Sequence, residues 1–184
     1  MKGKVIAVVC IIVALGLIAV TVLYSQNELN DHVSAAKQLQ FSLTSGGVSS
    51  IFINYVRSEA TIWFGFTFQA VNPSSKSLTI PSFNLTVYMD NNRLGDVSIA
   101  QTYLQSGYNN GKSYPLGLEV QSSQFSPTFN DTFFDLADQV WNEKKPSVTF
   151  KVIGTANINV AYSFLSATVP VSIDSSKTAN LLKP

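Results

Sequence analysis

The sequence predicts an all-β domain with one helix, an antiparallel β-sandwich, preceded by an N-terminal transmembrane helix. Three observations carry this. Residues 5–23 are an unbroken apolar run, period-2 alternation recurs from Leu39 to the C-terminal region, and the period changes to helical once, over residues 128–142.

The apolar run reads VIAVVCIIVALGLIAVTVL, nineteen residues without a charge and with Thr21 as its one polar member. As a helix it is about 28 Å long, close to the hydrocarbon thickness of a bilayer. A core helix would carry a polar stripe, and none is present. A cleaved signal has a shorter apolar region, about 7–15 residues, ending at a small-x-small site. Thr21-Val22-Leu23-Tyr24 offers no such site, so a retained anchor is the better reading. Lys2 and Lys4 precede the run, whereas Glu28 and Asp31 follow it. The positive-inside bias therefore predicts a cytoplasmic N-terminus and an extracytoplasmic domain, with the lipid bilayer as partner of residues 5–23. Cys10 lies within the run. Ala7-Val8-Val9 before it is a poor lipidation signal, and a small hydrophobe accounts for it better.

Residues 25–38 are polar, with Leu29, Val33 and Ala36 at helical spacing, and are expected to prolong the anchor helix as a stalk. His32, the one histidine, is expected to be an exposed stalk residue. Leu39, Phe41 and Leu43 then alternate before Gly46-Gly47, which is expected to break the chain ahead of a strand over 48–57. In residues 60–71, Ile62, Phe64, Phe66, Phe68 and Ala70 share one face, so this should be a central strand with a layer opposite. Asn72-Pro73 ends it, since Pro73 cannot donate to a ladder. Phe83, Leu85, Val87 and Met89 form the next inward face, then a turn at 90–93, a strand over 94–101, a turn at 107–112 and a strand over 114–121.

Phe129, Phe133, Leu136, Ala137 and Val140 then fall on one helical face, with Thr128 as expected N-cap and Pro146 as stop. Three closing strands are expected over 148–154, 156–165 and 166–173. The organisation is thus an anchor at 1–24, a polar helical stalk at 25–38, a β-sandwich at 39–175 and a flexible tail at 176–184.

Several of these residues carry a resemblance. The apolar strand ending in Asn72-Pro73-Ser74 resembles the late-embryogenesis-abundant type 2 (water-stress and hypersensitive-response) family. So do the strands with Ile80 and Phe83 to Met89, a loop with Gly95, and the helix at 128–142 followed by residues 148–154 and Pro170. The likeness spans about residues 40–175. It implies a sandwich like fibronectin type III and immunoglobulin domains, often on a membrane anchor, and a role in desiccation or other stress without an enzymatic activity. Asn72 and Pro73 would be its motif turn, shaping the fold rather than performing chemistry.

Composition and motifs exclude several classes. Lys2 and Lys4 are the only charges before Glu28, and the remaining chain holds 10 basic against 11 acidic residues, which is no footprint for nucleic acid. Gly46-Gly47 lacks the context of a phosphate loop. One histidine and one cysteine exclude a Cys/His metal site and leave a nucleophilic triad without a base. Asp131, Asp135 and Asp138 share a helix stripe, better read as a solvated acidic face than as a cation site. No cofactor and no enzyme activity is implied. Asn84-Leu85-Thr86 and Asn130-Asp131-Thr132 are N-glycosylation sequons. Two alternatives stay open. A hydrophobic N-terminal helix running into a sandwich also resembles archaeal type IV pilins and archaellins, which self-assemble, although Lys4 after Lys2-Gly3 departs from their pattern. Twelve phenylalanines also admit a lipid or apolar ligand between the sheets, against the simpler account that a sandwich core needs those rings.

Overall fold

Alternation of inward and outward side chains sorts the strands into layers. The computed structural model describes residues 2–182, with the side chains of residues 10–107 and 111–182. The flanking Lys2 and Lys4 side chains, and residues 183–184, lie outside that description. The first sheet has the order β1 (Gln40–Asn54), β2 (Glu59–Asn72), β7 (Tyr108–Gln121). The second runs β5 (Asn92–Ile99), β4 (Phe83–Met89), β8 (Ser147–Tyr162), β9 (Leu165–Asn180). A ribbon of β3 (Leu78–Ile80) and β6 (Thr102–Leu104) lies beside them, and every pairing is antiparallel. The predicted sandwich class and the long apolar N-terminal helix, α1 (Lys2–Lys37), are both present.

β2 is the middle strand of its sheet, and Ile62, Phe64, Phe66, Phe68 and Ala70 are buried as the alternation requires. Their rings meet the opposite sheet directly. Phe150 of β8 stands edge-on to Phe66 at 5.0 Å and to Phe64 at 5.4 Å, and Phe83 of β4 meets Phe41 at 5.9 Å. Such edge-to-face contacts add to the burial of large apolar rings. A second helix, α2 (Pro127–Trp141), closes one end by burying Phe133, Leu136, Ala137 and Val140, with Phe133 against Phe64.

Several expected boundaries move. Gly46-Gly47 does not break the chain. β1 runs through both glycines with irregularities between Leu43 and Ser45 and between Val48 and Ser50. Gly46 is there for space: a Cβ would lie 2.7 Å from Phe150 Cδ2. The three expected closing strands are two long ones, joined by a turn at Ser163-Phe164. Gly154 stays in the ladder because a Cβ there would meet Leu85 at 2.7 Å, a close approach rather than a break. Gly95 lies in β5 opposite Val87, not in a loop. The N-cap of α2 is Ser126, with Pro127 in the first turn, in place of Thr128. Residues 176–180, expected as flexible tail, are paired along β8 to Ser147↔Asn180, and Leu181 is fully buried with its N–H on Pro146 O at 2.8 Å. Ser176, Lys177 and Thr178 are exposed in succession, so the strand is held here by its ladder rather than by a buried face.

The register of β2 sets an expected contrast. Phe66→Ala should lower stability by about 3–5 kcal/mol, because it removes a packed ring and leaves a cavity. Thr67→Ala, on the half-buried opposite face, should cost about half a kcal/mol. Denaturant melts of the two variants check this, and comparable large losses at both positions would contradict the register.

Candidate functional site: the joint between helix and sandwich

The inward parity of β2 does not end at Ala70. The next inward position is Asn72, fully buried, and a carboxamide there must find partners inside the protein. It does. Asn72 Nδ2 donates to the carbonyls of Lys76 at 2.9 Å and Gln105 at 3.1 Å, with Leu104 O at 3.4 Å. Its Oδ1 accepts from Ser74 Oγ at 2.6 Å and from Ser74 N at 3.2 Å. Gly107 N donates to Ser74 O at 2.7 Å. One side chain therefore ties the end of β2, the loop through Lys76, and the segment between β6 and β7 into a single polar knot. Pro73, which has no N–H to donate, is exposed at its edge.

The knot presents Lys76 to α1. Lys76 Nζ donates to Glu28 Oε2 at 2.7 Å, with side chains only 27% and 22% exposed. The Lys76 hydrogen bond holds the Glu28 carboxyl below the ordinary carboxylate range, and Glu28 in turn raises the Lys76 ammonium. Residues 25–37 are thus no free stalk. Ser25, Ala35 and Ala36 are buried, Leu29 and Val33 pack on the core, and this half of α1 lies on β8 and β9. His32, expected to be exposed, is half-buried, with Nδ1 on Glu28 O at 2.8 Å and its ring 6.2 Å from that of Tyr162. Tyr24 meets Tyr162 edge-on at 6.1 Å, and a hydrogen bond to Tyr24 raises the Tyr162 phenol.

The other singled-out residues are scattered. Asn84 is exposed on β4 and accepts from Ser98 Oγ at 2.7 Å. Asn130 is half-buried on α2, its Oδ1 enclosed. Of the acidic stripe, Asp131 and Asp135 are exposed, but Asp138 is structural: it accepts from Tyr55 Oη at 2.9 Å and from Asn142 Nδ2 at 3.0 Å, tying α2 to the turn after β1. Among the described residues no group of three or more His, Cys, Asp or Glu stands close enough to hold a metal ion. Asn72 was readable as a turn residue; counting two more along β2 from Ala70 is the signal that also marks it as buried.

No family model matches the chain, and no curated protein matches it. Among solved structures it is similar to AT1g01470 from Arabidopsis thaliana, 16% identical over 77% of this chain and 84% of that one, TM-score 0.43. A putative ApaA protein from Bordetella pertussis is 12% identical over 78% and 94%, TM-score 0.43. A putative late embryogenesis abundant protein, At2g46140.1, is 10% identical over 91% and 86%, TM-score 0.41.

Two outcomes are expected at the joint. Asn72→Ala leaves buried carbonyls and an N–H unpaired and should cost about 3 kcal/mol in a denaturant melt, the upper range for orphaned buried groups. The Glu28–Lys76 pair is pH-sensitive on the acid side. A folded-state carboxyl held below its unfolded value contributes stability above the unfolded value, and that contribution is lost as pH falls through the lower folded one. Protection factors over residues 25–37, that is, exchange rates corrected for the intrinsic pH dependence of amide exchange, should therefore fall in acid. Glu28→Gln should already show the faster exchange at neutral pH and lose this pair's acid response.

Proposed function

We propose that this chain is a membrane-anchored, non-enzymatic β-sandwich protein whose domain is held against the extracytoplasmic side of the bilayer by the rigid joint. The observation that carries the reading is a change of surface within one helix. From Ile11 to Val20 the large apolar side chains of α1 are 55–64% exposed, while from Ser25 onward the same helix is packed on the sandwich. Exposed apolar surface of this extent needs a non-aqueous partner, and a span of this length fits lipid. The lysines before it and the acids after it favour a cytoplasmic N-terminus. The resemblance around Asn72-Pro73-Ser74 supports a role in the cell envelope under desiccation or related stress. In a glycosylating compartment Asn84, exposed, would be the acceptor in preference to Asn130.

The unbroken course of α1 favours a second reading, a surface-filament subunit, in which the apolar halves of neighbouring copies pack together. The two readings part in the test. An anchored protein should stay in the membrane pellet through alkaline extraction, run as a monomer in detergent, and lose its domain to protease added to intact cells. Recovery as sheared polymers would establish the filament instead, and full protection of the domain from external protease would reverse the orientation.

A further inference from the structure

The anchor meets the domain near the tip of the β8–β9 hairpin, and that tip carries no charge. Residues 154–173 hold no charged side chain; the nearest flanking charges, Lys151 and Asp174, pair with each other at 3.0 Å. Beyond Gly154, β8 is hydrogen-bonded only to β9, and this hairpin lies along α1 with β3 beside β8. Its inward residues Ala156, Ile158 and Val160 are buried. The hairpin ends beside the last turn of the apolar run. Tyr162 touches Tyr24, the residue after Leu23, and shading of the helix begins at Val22, 37% exposed where Val20 and Leu23 are 64% and 65%. Past Tyr162 the turn carries Phe164, 62% exposed, on a tip whose other residues are Ser163, Leu165 and Ser166.

We infer that the β8–β9 tip is a second membrane contact: Phe164 enters the bilayer interface beside the anchor, with Tyr24 and Tyr162 at headgroup level. The occupant is lipid because the tip is continuous with the segment that requires lipid. It is built as interfacial segments are, from aromatic rings, small polar residues and no charge to desolvate. Two contacts fix what one helix leaves free, namely the rotation of the domain about the long axis of α1.

This inference rests on residues 5–23 spanning the bilayer, and the test separates the two. The full chain is reconstituted in phosphatidylcholine vesicles with or without phosphatidylcholine brominated near the top of its acyl chains. Three forms are compared: native, Phe164→Trp and Leu17→Trp. The native tryptophans, Trp63 on β2 and Trp141 on α2, report the background. The emission added by Trp at 164 should fall by about half or more in brominated vesicles, as for a ring resident at the interface, while the native signal holds. Unquenched emission at 164 with quenched emission at 17 would overturn the second contact and leave the anchor standing. Unquenched emission at both positions would overturn both.

Discussion

The apolar face of a sheet has to be covered wherever the sheet goes, and here one hairpin goes further than the layer opposite it. The β1–β2–β7 sheet covers Val152 and Phe150, but Ala156, Ile158 and Val160 lie on the two-stranded arm beyond β4. Their burial is shared between the packed half of α1 and the neighbouring β3. A two-stranded ribbon is marginal alone in water, and a helix with an apolar stripe is marginal alone as well. Each completes the other, and Ala35 and Ala36 are buried in the packed half of the helix. The Asn72 knot and the Glu28–Lys76 pair then fix the arrangement by anchoring α1 to a loop of the opposite sheet.

This division explains why polar groups cluster where they do. Between the sheets the contacts are ring on ring, Phe64 and Phe66 against Phe150, with Gly46 vacant so that the Phe150 ring can approach. Around the joint the contacts are directional. A carboxamide buried at the end of β2 is tolerated only because both its ends are satisfied, and that requirement makes the loop after Pro73 adopt one shape. The shape is what aims Lys76 at the helix.

Much of this was legible in the sequence, and the failures share a cause. β2 declared itself because six inward positions alternate without interruption from Ala60 to Ala70. The core face of α2 followed from its spacing, and the apolar run from its length. What misled were residues with two uses. Gly46, Gly95 and Gly154 were legible as breaks or loops, whereas each is inside a strand where a neighbour comes within 3.1 Å of a would-be Cβ. Polar residues 176–180 are legible as tail until their partner strand is known. His32 and the rest of 25–37 are polar enough for a free stalk, and only the tertiary contact with β8 and β9 shows that the stripe Leu29, Val33, Ala36 has a counterpart.

The unbroken course of α1 carries a mechanical consequence. No proline interrupts Lys2–Lys37, and its single internal glycine after Gly3, Gly16, lies well before the packed half. With no hinge between the two halves, an anchored helix and its domain would tilt as one body. A spanning helix accommodates bilayer thickness by tilting, about 20° on average. In the anchored state that angle would pass undiminished to the sandwich and be magnified with height, greatest at the turn after Asn54 where Val56 is 96% exposed. Membrane thickness would then be written into the position of the domain's outermost loop, a displacement that a jointed stalk would absorb.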